Sequence, residues 1–219
     1  MKHKLIIFDW NGTILADTIP ALKASNACLE FFGQPPISMT HFRNTFDFPV
    51  IHFYTNNGCD EDEILAQKDE SNRVFQTTYE ELSQNCRTRR GVRETLAYLH
   101  ARDYHMIVLS NYLTDKITPQ LERLGIGQYF RHVCAHNCDG TSIMQSTSKM
   151  ERVQAYMDAH GFEPRHTTII GDSLEEPEIA RLLGLTGVSI TGGVASKPRI
   201  KAQEPTHIIH SMREITTIL

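Results

Sequence analysis

The chain has 219 residues, 40 % hydrophobic and 22 % charged, which is the make-up of an ordinary globular protein long enough for one or two buried cores. Its net charge of −4 gives no electrostatic reason to expect nucleic acid or an anionic membrane as the main partner. No apolar run approaches the roughly 18 residues that a membrane-spanning helix needs. Five cysteines (Cys28, Cys59, Cys86, Cys134 and Cys138) are an odd number without paired CxxC spacing. They read as reduced thiols, and the first apolar run is too short for a secretion signal, so the expected location is cytoplasmic.

Residues 4–8 (KLIIF) form a compact, β-branched apolar run, the pattern of a strand buried on both faces. The turn DWNGT follows. Asp17 then reads as a helix N-cap, with Pro20 in the first turn and Gly33, Pro35 and Pro36 as the stop. From there to about Thr88 the pattern is polar and helical, with one long candidate helix over 60–84. After Gly91 the rhythm changes. Helix 92–102 leads into strand 105–109 (HMIVL), then helix 115–124 and a short strand near 132–135. Helix 149–160, strand 167–170 (TTII), helix 176–183, strands at 187–190 and 207–209, and a terminal helix complete the series. Such alternation implies right-handed crossovers and a parallel sheet covered on both faces. The expected class is α/β, with a core of residues 1–15 and 89–219 interrupted by a helical insert, 16–88. The insert holds eleven Asp/Glu against five Lys/Arg, a net of −6 against +2 for the rest of the chain, and solvated helix faces account for that acidity.

Ligands of a parallel sheet bind just past the carboxyl ends of its strands. Asp9, Trp10, Asn11, Gly12 and Thr13 follow the first strand, and Ser110 and Asn111 follow the next. Lys149 opens a helix, while Gly171, Asp172, Ser173 and Glu176 follow TTII. Converging carboxylates repel one another unless a hard divalent cation with oxygen ligands removes the conflict. Mg²⁺ in that position also neutralises phosphate oxygens, so that a carboxylate can attack phosphorus. Ser110 and Lys149 then offer a donor and a fixed positive charge to the transferring oxygens. The set therefore points to phosphoryl transfer on a small phosphorylated metabolite.

The ordered motifs DxxGT, a hydroxyl after the second strand, a lysine, and GDSxxE resemble those of the haloacid dehalogenase-like (HAD) superfamily. The helical insert after the first strand resembles its phosphoglycolate-phosphatase-like members. That resemblance implies a Rossmann-like core with a helical cap. It implies Asp9 as nucleophile, with Asp9, the Asn11 carbonyl and Asp172 as Mg²⁺ ligands and Glu176 holding a metal-bound water. It also implies Ser110 and Lys149 on the phosphoryl group; by their positions beside the nucleophile and after the second strand, Trp10, Asn11 and Asn111 are expected in the substrate pocket. As quaternary state, monomer and homodimer both fit. Lys149 lacks the following proline of many relatives.

One departure matters. The family's DxDxT motif carries a second aspartate that protonates the leaving oxygen, and here that position is Asn11. An amide cannot transfer a proton at neutral pH, and losing a general acid costs roughly 10²–10⁴-fold. Several readings stay open: a phosphatase whose substrate needs little acid help, a weak or non-catalytic phosphate binder, an altered Asn11 within a deamidation-prone Asn-Gly pair, or other chemistry of the superfamily. A phosphonatase needs a cap lysine, and the insert's lysines are Lys23 and Lys68. Elsewhere His132, Cys134, His136 and Cys138 alternate, which strand packing explains without a metal. Arg87, Arg89 and Arg90 mark the return hinge. Phe42, Phe46, Phe48, Phe53 and Tyr54 form the insert's core and are where substrate contacts would be sought.

Overall fold

The computed structural model describes residues 4–136 and 149–219. Strand β1 (Leu5–Asp9) is followed by helices α1 (Thr18–Phe31), α2 (Met39–Thr45), α3 (Val50–Asn56), α4 (Glu61–Ala66) and α5 (Lys68–Ser83). Then come α6 (Val92–His100), β2 (His105–Leu113), α7 (Thr114–Arg123), β3 (His132–His136) and α8 (Lys149–His160). Strand β4 (Thr167–Gly171), α9 (Glu175–Leu183), β5 (Thr186–Ile190), α10 (Lys197–Ala202), β6 (His207–Ile209) and α11 (Ile215–Ile218) complete the chain.

The strands form one parallel sheet in the order β3-β2-β1-β4-β5-β6. The chain steps outward from β1 to β2 and β3, then returns to β4 on the other flank of β1. Connections thus leave β1 and β4 in opposite directions, opening a crevice at their carboxyl ends. Both strands are buried throughout, as continuous apolar runs in a doubly covered sheet should be.

Strand periodicity sorts the core into two clusters. Ile6, Phe8, Met106, Val108, Ile170 and Val188 pack on one face with α6 and α7. Leu5, Ile7, Ile107, Leu109 and Ile169 pack on the other with α8 and α9. A third cluster, Cys28, Leu29, Phe42, Phe53, Tyr54 and Ile64, lies within the helical segment and includes Val194 from beyond β5. Each fully buried side chain of this size contributes about 1.5–3 kcal/mol.

The structure corrects two local expectations and adds one helix. The long helix over 60–84 is two helices, because the backbone at Gln67 (φ −111°, ψ 21°) leaves helical values. Asp60 caps the first by accepting from the Glu63 amide at 3.0 Å. Strand β2 continues four residues past Leu109, with its register against β3 shifting between Leu109 and Leu113, so Ser110 and Asn111 lie within the strand. Helix α10, starting at a Lys-Pro pair, has too few apolar residues to be legible as a periodic pattern.

Candidate active site

Register fixes the floor of the site. Asp9 pairs with Leu109 of β2, and Phe8 with Ile170 of β4. Ser110 and Asp172 therefore follow one rung beyond the rows that end in Asp9, at the edge of the crevice. Asp9, Asn11, Ser110, Asn111, Lys149 and Asp172 all line a cavity of ≈ 130 Å³ there.

Lys149, at the start of α8, is 3 % exposed and ties the charges together. Its Nζ lies 2.8 Å from Asp9 Oδ1, 2.6 Å from Glu176 Oε1 and 3.4 Å from Glu175 Oε2. Burial alone would discharge this ammonium, but attraction to Asp9, Glu176 and Glu175 outweighs it and holds the pKa well above the ordinary lysine value. Burial pushes the Asp9 carboxyl well up, and repulsion from Glu176 and Asp172 adds to that while Lys149 opposes it. Asp172 is pushed up to about 6 by burial and by Glu176, against hydrogen bonds from Thr13 and Val194 and the charge of Arg89. Glu176 alone is held below the carboxylate range, because Lys149 and Ser173 more than offset its burial. One ammonium thus contacts three of the site's four carboxylates, and burial with the surplus negative charge raises the pKa values of Asp9, Asp172 and Glu175.

That surplus, with oxygen as the only donor type, fits a hard divalent cation. Among the described residues no three His, Cys, Asp or Glu side chains converge as a metal cage. Mg²⁺ does not require one, since it is usually held by one or two carboxylates and keeps several waters. Asp9, Asp172 and the Asn11 carbonyl would make such a set. The floor is also built around Asp172. Its Oδ1 accepts from Thr13 Oγ1 and its Oδ2 from the Val194 amide, both at 2.7 Å. A Cβ on Gly12 (φ +72°) would sit 2.2 Å from Asp172 Oδ2, and one on Gly193 only 1.8 Å away. Only glycine leaves this carboxylate its place.

Asn11 has a different neighbourhood. Its Nδ2 donates to Asp17 Oδ2 at 2.8 Å and to the Tyr79 hydroxyl of α5 at 2.7 Å. The Tyr79 hydroxyl in turn donates to Asp17 Oδ2 in a short hydrogen bond, and the Gly12 amide donates to Asp17 Oδ1 at 2.6 Å. Ser110 Oγ donates to Asn11 Oδ1 at 3.3 Å. Burial raises the Asp17 carboxyl, while the bonds from Asn11, Tyr79 and Gly12 restrain that rise. The amide is therefore clamped between a buried carboxylate and a phenol from the helical segment.

Comparison with known proteins agrees with this floor. Residues 6–190 match the family described as haloacid dehalogenase-like hydrolase. The chain belongs to that family. Curated relatives include a phosphoglycolate phosphatase of Pseudomonas putida, 25 % identical over 97 % of this chain and 78 % of its own length. Another, from Vibrio vulnificus, is 25 % identical over 99 % of this chain and 96 % of its own. Among solved structures, a haloacid dehalogenase-like hydrolase from Streptococcus pneumoniae superposes with TM-score 0.79 at 19 % identity, covering 99 % of this chain and 98 % of that one. A "predicted phosphoglycolate phosphatase" from Haemophilus somnus reaches 0.75 at 23 % identity, covering 100 % and 98 %. The α/β class, the Rossmann-like core and the enzyme class expected from the motifs stand: this is a HAD-like hydrolase, similar over nearly its whole length to phosphoglycolate phosphatases.

Two site residues of this HAD-like hydrolase lie elsewhere than expected. Trp10 is not a pocket wall. It is fully buried in the same cluster as Ile6 and Phe8 and is absent from the cavity lining, because alternate residues of an extended segment share a face. Glu176 is not turned toward the cavity. Lys149 takes its Oε1 and Ser173 its Oε2, so its carboxylate serves as counter-charge to the lysine. Asn111 does line the cavity, with its amide fixed between Glu175 (2.9 Å) and Arg152 (2.8 Å).

Other residues joined the site unannounced. Asp17 sits at the N-cap position of α1 yet makes no capping bond, since its oxygens go to Asn11, Gly12 and Tyr79. Arg89 donates to the carbonyls of Gly12 (2.5 Å) and Thr191 (2.6 Å), tying the return hinge to the Asp9 loop. The helical segment supplies Ala21, Phe46, Phe48, Asn72, Phe75 and Gln76 to the cavity. Phe42, Phe53 and Tyr54 are instead core of that segment. Lys23 and Lys68 are not among the lining residues, which leaves a phosphonatase's lysine without a counterpart. In the alternating set on β3, Cys138 lies outside the described residues, and Cys134 packs against the core.

Proposed function

We propose that this HAD-like hydrolase is a Mg²⁺-dependent phosphatase of a small phosphorylated metabolite, working through an aspartyl-phosphate on Asp9. The observation that carries the reading is the Lys149 cluster at the β1–β4 crevice: a nucleophile-type carboxylate, a fixed ammonium and a second buried carboxylate meet in one cavity. Asp9, Asp172 and the Asn11 carbonyl would hold the ion. Bound there, Mg²⁺ neutralises phosphate oxygens and draws the Asp9 carboxyl back to its ionised, nucleophilic form.

The chain's own residues supply the rest. Lys149 and Ser110 hold the transferring phosphoryl group, the Asp9 carboxylate attacks phosphorus as the bond to the leaving oxygen breaks, and water then hydrolyses the aspartyl-phosphate to inorganic phosphate and free Asp9. Residues 16–88 act as the cap, which excludes water and contacts the organic half of the substrate. Asn11 donates hydrogen bonds but no proton, and Asp17 and Tyr79 keep its amide in one orientation. The substrates that suit such a site depart without acid help, as acyl phosphates do, while alkyl phosphates turn over slowly. The related reading, a phosphate binder with little turnover, rests on that same locked amide.

Assaying the wild type, Asn11→Asp and Asp9→Ala with Mg²⁺ on acetyl phosphate and on an alkyl phosphate separates the readings. The phosphatase reading requires acetyl phosphate turnover well above Asp9→Ala. Equal rates in wild type and Asp9→Ala on both substrates would leave only the binder.

A further inference from the structure

The cavity has a charged floor and an uncharged roof, and that division constrains the substrate beyond its phosphate. Lys149 is the sole cation among the described lining residues, and it is already shared by three carboxylates. The roof offers the rings of Phe46, Phe48 and Phe75, the methyls of Ala21 and Val194, and the amides of Asn72 and Gln76. The nearby guanidiniums lie outside the lining. Arg43 donates to the carbonyls of Gly193 and Gly192 at 2.9 Å and Arg89 to those of Gly12 and Thr191, while Arg152 donates through Nη2 to Asn111 and buries its Nε and Nη1 without a hydrogen-bond partner. Of the residues outside the described set, 137–148 contain no Lys, Arg or His, and Lys2 and His3 precede β1, whose carboxyl end forms the site.

We infer that the organic half of the substrate, acyl phosphate or ester, carries no charge beyond its phosphate: it presents an apolar face to the phenylalanines and a hydroxyl to the Asn72 and Gln76 amides. A second anionic group, such as the carboxylate of phosphoglycolate, would be stripped of water against aromatic rings with no cation to meet it. It would also lie in the field of Asp9, Asp17 and Asp172, which line the same space. An amide, by contrast, donates to and accepts from a neutral hydroxyl. This inference rests on the phosphatase reading only for which end of the substrate meets the floor.

The test uses two esters of nearly equal size that differ in charge, 2-hydroxyethyl phosphate and phosphoglycolate. Both leave as aliphatic alcohols, so the absent acid at Asn11 handicaps them alike. Calorimetric titration of each into Asp9→Ala with Mg²⁺ measures binding without turnover. Removing the Asp9 charge favours the anionic ligand, so the comparison is conservative. The neutral ester should bind at least about ten-fold tighter, in line with the cost of unpaired groups in a built pocket. Gln76→Arg in the same background should shrink or reverse that ratio. Equal or tighter binding of phosphoglycolate to the unaltered roof overturns the inference. Failure of the phosphatase reading shows separately, as no turnover of either ester or of acetyl phosphate by the wild type.

Discussion

The floor and the roof of the cavity are built on opposite principles. The floor is a crowded charge cluster in which nearly every polar atom has a fixed partner and burial is close to complete. The roof draws on α1, α5 and the connection between α2 and α3, and its lining holds no charged side chain apart from Asp17, at the foot of α1. Buried charges are expensive unless paired, so a floor of this kind can be conserved in geometry only as a unit. Aromatic and amide walls carry no such constraint, so they can vary with the substrate. Chemistry is set below, selectivity above.

The largest effect should come from restoring the acid. Asn11→Asp places a carboxyl beside buried Asp17, and two carboxyls that close cannot both ionise, so one keeps its proton near neutral pH. Alkyl phosphate turnover should rise by roughly 10²–10⁴-fold, with much less change on acetyl phosphate. An equal gain on both substrates would mean that Asn11 acts on something other than the leaving group.

Next is the floor's cation. Lys149→Ala strands Asp9, Glu175 and Glu176, and breaking such a buried set costs about 3–5 kcal/mol in urea unfolding with EDTA present. The sign with pH follows from linkage. Without the ammonium these carboxyls have folded pKa values above their unfolded ones, so the folded state binds more protons. The deficit should be small at acid pH, where all are protonated in both states, and should grow as pH rises through the carboxylate range. A deficit independent of pH would show that Lys149 acts by packing alone.

A smaller loss is expected from Gly193→Ala, whose Cβ would collide with Asp172 Oδ2. Displacing a ligand from its supporting bonds should weaken Mg²⁺ by about 10–100-fold in a calorimetric titration, while the esters' relative affinities, a property of the roof, stay unchanged. The smallest effect links the two regions. Tyr79→Phe removes the phenol that joins α5 to Asn11 and Asp17, at about 0.5–1.5 kcal/mol. Its signature is a change in kcat without a change in the preference between neutral and anionic esters.

Most of the floor was legible in the sequence, because strand ends in a parallel sheet are marked by composition and the motifs follow them in order. Asp9, Ser110 and Asp172 need only the assumption that their strands are neighbours, which the register of β1 with β2 and β4 shows, while Lys149 depends on where its helix starts. Trp10 was misread although the signal was there: Ile6, Phe8 and Trp10 alternate, and parity alone puts the indole in the core. Asp17 was hidden by its own position, since an aspartate ahead of a helix looks like a cap whatever its side chain does. Tyr79, Phe75 and Gln76 carry no local mark at all. Through the packing of α5 on α1, Phe75 and Gln76 reach the cavity and Tyr79 reaches Asn11 and Asp17 behind it, and the sequence suggests one helix over 60–84 where two exist. Phe46 and Phe48 stood in a stretch already suspected of touching substrate, but nothing separated them from Phe42 and Phe53 until the helices were folded.

The most direct test of the account is to quench acetyl phosphate turnover in acid and locate the phosphoryl group by peptide mass spectrometry. With Mg²⁺ present, the account predicts a phosphoryl adduct on Asp9 that accumulates in the wild type, because Asn11 is a poor base for its hydrolysis. The adduct should drain faster in Asn11→Asp and be absent from Asp9→Ala. Turnover that survives Asp9→Ala, or a phosphoryl group carried by any other residue, would contradict it.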